Sequence, residues 1–172
     1  MSRRLLHQGR AFALYAETAE LPGGRRVELD VVRHPGAAAI VPFASADEVL
    51  LIRQYRHAAG GLIWEVPAGK LDGEEPERCA LRELEEETGH RAGRLERLGT
   101  IWTTPGFTDE RIHLFAAFDL QASAQRLDPD EHIEVVRTPL ARALEMLFAG
   151  ELCDAKSALA LLLAARRLGR LG

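Results

Sequence analysis

Apolar and polar positions alternate early in the chain: Val27, Leu29 and Val31 are interleaved with Glu28 and Asp30, as a half-buried strand requires. The segment Arg10 to Glu17 lies before it across Pro22-Gly23-Gly24, and the two predict a β-hairpin. After His34-Pro35-Gly36 the alternation gives way to an unbroken apolar run. Ala37 to Phe43 predicts a buried strand, and Val49 to Gln54 its neighbour across the turn Ser45-Ala46-Asp47. Leu62 to Val66 predicts another strand, leading into Pro67-Ala68-Gly69. A helix follows: Pro76 suits its first turn and Gly89 its end, and Leu81 and Leu84 fall on a face able to pack inward. Further strands are predicted at Leu98 to Thr103, Arg111 to Asp119 and Ile133 to Arg137. Two helices close the order, Pro139 to Ala149 and Asp154 to Leu168, with Asp154 as the N-cap of the second. The class predicted is α/β in the broad sense (α+β), with strands gathered around one major helix.

Composition narrows this picture. With 172 residues and 47% hydrophobic side chains, one globular core is the natural count. A net charge of -4 and a pI near 5.9 argue against a nucleic-acid backbone as partner. The opening MSRRLLHQGR is basic but no apolar run follows, which predicts neither a signal peptide nor a membrane span. Cys79 and Cys153 lack metal-ligand spacing and fit a reduced, cytoplasmic protein. The six histidines are scattered and read as structural or surface residues.

The chemistry is concentrated in one place. From Asp72 to Glu87 eight acidic residues stand against Arg78 and Arg82, a local balance of -6 in a chain whose total is -4. Glu83, Glu86 and Glu87 are spaced i, i+3 and i+4, so a helix crowds them together, where like charges repel. Many Glu-rich faces are simply solvated. A divalent cation is the alternative, because Mg²⁺ takes a few carboxylate oxygens while keeping waters and substrate phosphates in its other positions.

The stretch GKLDGEEPERCALRELEEETG resembles the Nudix box, the signature of hydrolases that cleave nucleoside diphosphates linked to another moiety. Glu74, Arg82, Glu83, Leu84, Glu86, Glu87 and Gly89 match its positions. Two departures stand out: only four residues separate Gly69 from Glu74, one fewer than the pattern, and His90 takes the final aliphatic place. The resemblance implies the Nudix fold, a mixed β-sheet sandwiched between α-helices. It also implies an N-terminal antiparallel β arm at residues 1–36 that swaps across a homodimer, followed by a hydrolase domain at residues 37–172. Shorter matches resemble the ADP-ribose pyrophosphatase subfamily. They are Trp64-Glu65-Val66-Pro67-Ala68-Gly69-Lys70, Pro105 fifteen residues beyond His90, the substrate loop Pro105-Gly106-Phe107-Thr108-Asp109-Glu110, and Gln54-Tyr55-Arg56 at a phosphate-proximal strand end.

The resemblance assigns roles by position. Glu83, Glu86 and Glu87 would hold Mg²⁺, with Mn²⁺ as a substitute, and the backbone carbonyl of Ala68 would be a further ligand. Arg56, Glu65, Phe107, Asp109 and Glu110 would bind substrate, while Arg82 would pair with box carboxylates such as Glu74. The general base would come from the acidic loop Asp128-Pro129-Asp130-Glu131-His132, where the match selects Glu131 over Asp130 and Glu134. The substrate implied is a nucleoside diphosphate sugar, foremost ADP-ribose, hydrolysed to AMP and ribose 5-phosphate. The arm offers Phe12 and Tyr15 for a base but no Trp. That leaves GDP-mannose, other nucleotide sugars and dinucleotides open. A Nudix-like domain that senses a nucleotide without turnover is the alternative of a different class.

Overall fold

A computed structural model of the chain describes residues 2–129 and 131–171. Small side chains make its centre possible. β4 (Ala37–Pro42) is buried along its whole length and begins with three alanines. It pairs in parallel with β9 (Arg111–Ala122) and antiparallel with β7 (Ala68–Lys70), while β8 (His90–Trp102) lies antiparallel on the far side of β9. The result is a mixed sheet in the order β7-β4-β9-β8.

Because successive strand residues point to opposite faces, this sheet divides the interior into two cores. Ala37, Ala39 and Val41 join Ile112 and Leu114 on one side, closed by α2 (Leu140–Phe148) and α3 (Ala155–Arg167) through Leu144, Met146 and Leu161. Ala38 and Ile40 join Phe115 and Ala117 on the other, closed by α1 (Pro76–Thr88) through Cys79, Ala80 and Leu84. The mixed sheet therefore sits between helices, as the resemblance implies.

A second, antiparallel sheet has β5 (Glu48–Arg56) between β10 (Ile133–Pro139) and β6 (Gly61–Glu65), with a 3-10 turn at His57–Ala59 joining β5 to β6. Its register sets Glu65 opposite Ile52, hence on the face of β5 that also carries Gln54 and Arg56. The two sheets are tied to the last helix by Ser157, fully buried, whose Oγ accepts the Val66 N–H at 2.8 Å.

The N-terminal strands form a sheet of their own, β1 (Arg3–Gln8), β2 (Ala13–Glu20) and β3 (Arg26–Arg33), antiparallel and in sequence order. A clasp binds this sheet to the segment after β8. Arg33 grips both carboxylate oxygens of Glu17, and its Nη1 donates to Asp109 Oδ2 at 2.8 Å. The backbone N–H of His34 donates to the other Asp109 oxygen at 2.9 Å, and the Val32 N–H to the Phe107 carbonyl at 2.8 Å.

Four local expectations need correcting. Strand β1 was not anticipated; it is exposed at every position, so no burial imposes an alternation on its sequence. The strand expected at Arg10 to Glu17 runs instead from Ala13 to Glu20. The one expected at Leu98 to Thr103 begins eight residues earlier, at His90, where Arg91, Arg94, Glu96 and Arg97 on a sheet edge hide the strand pattern. Leu84 packs inward as expected, but Leu81 is exposed, since the face of α1 that meets the sheet is centred on Ala80 and Leu84.

The clasp has a pH signature. The bond from Arg33 holds the Glu17 carboxyl below its ordinary range. At Asp109 burial pushes upward, but the bonds from Arg33 and the His34 N–H outweigh it and the net shift is also down. Carboxyls depressed in the folded state contribute stability that is present above their unfolded pKa and is lost as pH falls through the folded values. Protection factors of the Val32 and Asp109 amides should therefore drop between about pH 5 and pH 2 while those of β4 persist. Hydrogen exchange on Arg33→Ala checks this, for that variant should have lost the protection already at neutral pH.

Candidate active site

The acidic helix is built to approach the sheet closely. Pro76 occupies its first turn, and Gly89 ends it in the left-handed conformation (φ 68°), its N–H reaching the Glu85 carbonyl. Besides Leu84, the inward side carries Glu83 and Glu87, only 8% and 2% exposed. Glu87 Oε2 accepts the Ala68 N–H at 3.0 Å. The Glu83 carboxylate lies directly on Gly69: a Cβ there would stand 1.7 Å from Oε1. A side chain at position 69 would expel Glu83, which accounts for a glycine inside β7.

Electrostatics make the pair costly. Burial raises the Glu83 pKa, with Arg82 pulling it partly back. Burial raises that of Glu87 well above the usual range; the nearby Glu83 adds to this and the Ala68 N–H offsets a part. Two carboxyls desolvated on adjacent turns, in contact with strand backbone, form a donor set of hard oxygens that fits a divalent cation. Among the described residues no three His, Cys, Asp or Glu side chains are gathered into a ready ligand set. Arg82 stands among the acids instead: its Nη1 bonds Glu83 Oε1 at 2.7 Å and Glu86 Oε2 at 2.8 Å, and its Nε bonds Glu74 Oε2 at 3.0 Å. The guanidinium thus partly balances carboxylates that repel one another.

Glu83 borders a cleft of about 730 Å³. Glu83, Glu86, Ala68, Arg56, Glu65 and Glu131 all line it. Glu87 lies beneath, among the buried residues. Glu65, 3% exposed, accepts from Arg56 Nε at 2.9 Å and from Lys156 Nζ at 2.6 Å. Glu110 also faces the cleft, with the Thr103 hydroxyl at 2.8 Å and His34 Nδ1 at 3.4 Å. Its neighbours do not follow it: both oxygens of Asp109 are engaged by the clasp, and exposed Phe107 is outside the cleft wall. The loop expected to meet substrate as a unit is divided, because Asp109 serves the arm. The Gln54 side-chain oxygen is buried and has no hydrogen-bond partner among the described residues.

The segment after β9 is stitched onto the end of α1. Ser123 N–H bonds the Gly89 carbonyl at 2.7 Å, Gln125 Nε2 that of Glu87 at 2.6 Å, and Arg126 N–H that of Glu86 at 2.9 Å. These bonds satisfy carbonyls that a helix end leaves without partners. Ser123 Oγ also donates to Glu85, whose pKa is brought down to about 2 by the bond from Arg91 and then by that of Ser123. Beyond these anchors Glu131 reaches the cleft, its Oε2 accepting the Asp128 N–H at 2.9 Å. Its charge further raises the pKa of Glu83 and of Glu87, so the three carboxyls share one field. Glu134 is exposed on β10 and is not part of the cleft, whereas Asp130 lies outside the described residues.

Lys156, Lys70, Arg126 and His34 also line the cleft and were missed from sequence. For Lys156 a signal exists, since a cation in the first turn of a helix opposes the helix dipole. Lys70 entered only as the end of the Trp64–Lys70 match, and no local pattern marks Arg126 or His34.

Comparison with known proteins agrees with the geometry. The NUDIX domain family matches residues 32–158. An ADP-ribose pyrophosphatase of Bacillus subtilis (strain 168) is 40% identical over 94% of this chain and 89% of its own length. A GDP-mannose pyrophosphatase of Shigella flexneri serotype 5b (strain 8401) is 36% identical over 87% and 86%. A crystal structure described as an ADP compounds hydrolase superposes with a TM-score of 0.81 at 25% identity, covering 99% of this chain and 98% of that one. A buried glutamate pair held against Ala68 and Gly69, a mixed sheet between two cores and matches over most of the chain converge on one conclusion: this protein belongs to the Nudix family of hydrolases.

Proposed function

We propose that the protein hydrolyses the pyrophosphate bond of ADP-ribose, giving AMP and ribose 5-phosphate, with Mg²⁺ bound by Glu83, Glu86, Glu87 and the Ala68 carbonyl. The observation that carries this reading is the desolvated Glu83–Glu87 pair beside a cleft that also presents Arg56. Hydrolases of this family are metal-dependent in general. The donor set here consists of carboxylate and carbonyl oxygens, which favour Mg²⁺ or Mn²⁺ over softer ions. When bound, the cation neutralises phosphate oxygens and acidifies a water. The chain's own residues do the rest. Arg56 binds the phosphates, and Glu65 and Glu110 complete the wall around the substrate. Glu131 accepts the proton of the water whose oxygen bonds to phosphorus as the bridging P–O bond breaks.

The choice of ADP-ribose leans on the Bacillus subtilis relative and on the subfamily resemblance around Trp64 and Pro105. The Shigella flexneri relative favours GDP-mannose as the second reading. We read the chain as a homodimer built through the arm, whose β1–β3 sheet presents exposed Leu5 and Leu29, with exposed Phe12 in the turn between β1 and β2. We also read it as cytoplasmic and as no binder of nucleic acid. Both cysteines are free, and among the described residues no helix is long and apolar enough to cross a membrane.

A panel of ADP-ribose, GDP-mannose, other nucleotide sugars and dinucleotides, assayed with Mg²⁺ and with chelator, tests the reading. ADP-ribose should give the highest kcat/KM, and chelation should abolish turnover. Glu83→Gln and Glu87→Gln should each lower kcat by about 10²-fold or more with the fold intact by circular dichroism. Tight ADP-ribose binding without turnover in either metal would establish a sensor instead.

Glu131→Gln keeps size and hydrogen bonding but cannot take a proton at neutral pH. Its kcat should fall by about 10²- to 10⁴-fold while KM changes much less. A full-rate variant, or a larger defect in Asp130→Asn, would move the role of base elsewhere.

Sedimentation should show a dimer for the intact chain. Deletion of residues 1–33 should yield an aggregating or unstable monomer, because it also removes the Arg33 clasp from Asp109. An intact chain that is already monomeric at working concentration would remove the dimer.

A further inference from the structure

Lys156 is the second residue of α3, where the helix dipole disfavours a cation, and its side chain is only 12% exposed. It reaches across 91 positions of sequence to Glu65 Oε1 at 2.6 Å and is also held by the N-cap carboxylate, Asp154 Oδ2, at 2.9 Å. The second oxygen of Glu65 accepts from Arg56 Nε at 2.9 Å. These four side chains form a neutral row, Arg56–Glu65–Lys156–Asp154. The row is firmly seated: Ser157, next in the helix, is fully buried, accepts the Val66 N–H and donates to Asp154. At the open end of the row the two terminal nitrogens of Arg56 have no hydrogen-bond partner among the described residues, and Arg56 faces the cleft.

We propose that Lys156 is a positioning residue for phosphate binding: by fixing the Glu65 carboxylate it holds Arg56 with its free guanidinium edge presented to a diphosphate. An unheld arginine loses rotamer freedom on binding, and prior fixation removes that cost. Arg56 engaged only through Nε keeps both terminal N–H groups for bidentate contact with phosphate oxygens. Lys156 itself gives its hydrogen bonds to Glu65 and Asp154 and acts through them. The inference rests on the reading that the cleft receives a pyrophosphate, but on neither the sugar nor the turnover.

The test uses the full-length protein and ADP as probe, with metal chelated so that only the protein's own groups bind phosphate. Calorimetry should show saturable ADP binding to the wild type, weakened about tenfold in Lys156→Met and in Arg56→Ala. The double variant should bind no more weakly than Arg56→Ala, since Lys156 works through Arg56. Lys156→Arg should retain most of the affinity. With metal restored and the best substrate of the panel, Lys156→Met should raise KM about tenfold and leave kcat within about twofold. Should Lys156→Met fail to fold, Lys156→Ala, which removes the charge and the donor but leaves room for water beside Glu65, carries the same expectations. Wild-type affinity in the lysine variants, losses that multiply in the double variant, or no ADP binding by the wild type would overturn the inference. A protein that binds ADP in this Lys156-dependent way yet does not hydrolyse ADP-ribose would leave it standing while removing the ADP-ribose reading.

Discussion

The close approach of α1 to the backbone of β7 is the constraint on which the site depends. Glu87 reaches the Ala68 N–H, and Glu83 lies where any side chain at position 69 would be. That approach needs small residues beneath the helix, and Cys79 and Ala80 on α1 face Ala38 on β4 there. It also sets the energetic character of the site. Carboxyls kept from water with raised pKa values are a local cost to folding, and the two cores on either side of the mixed sheet must supply the stability that offsets it.

The acids in and just before the helix divide their work by direction. Glu83 and Glu87 point toward the strand, Glu74 and Glu86 meet Arg82, and Glu85 turns to Arg91 and Ser123. Consecutive glutamates therefore serve different purposes: Glu85 holds a loop, while Glu86 lines the cleft. Glu85 is not among the matched positions of the box, yet it fixes the segment that carries the candidate base. A similar economy holds at Glu65, which belongs both to a strand register and to the row of charges ending at Arg56.

Much of this was legible in sequence where one physical cause dominated. The helix was readable because Pro76 and Gly89 mark its ends and its charge is dense. β4 and the Val49–Ile52 part of β5 were readable because both faces are buried there, so apolar residues run on without interruption. β1 and the first half of β8 were not, since exposed strands owe their existence to pairing partners and their side chains carry no mark of it. The box carboxylates could be named from spacing alone. Lys156 could be marked in sequence only as a cation out of place at a helix start; its role was hidden because its partner lies 91 positions away. The division between Asp109 and Glu110 was likewise hidden, as adjacent residues on one loop turn to different partners.

The anchoring of Glu131 carries a further consequence. On one side the chain is tied at Arg126 to α1, and on the other Ile133 is already paired with Gln54 on β5. Glu131 stands two residues before Ile133, and a fully extended residue spans at most about 3.6 Å, so its Cα stays within roughly 7 Å of that anchor. The candidate base is thus a tethered reactant rather than a diffusing one. Confinement to so small a sphere gives it a high effective concentration at the cleft without requiring that it be rigid there. Changing the number of residues between Arg126 and Ile133 would alter that concentration while leaving every atom of the acidic helix in place.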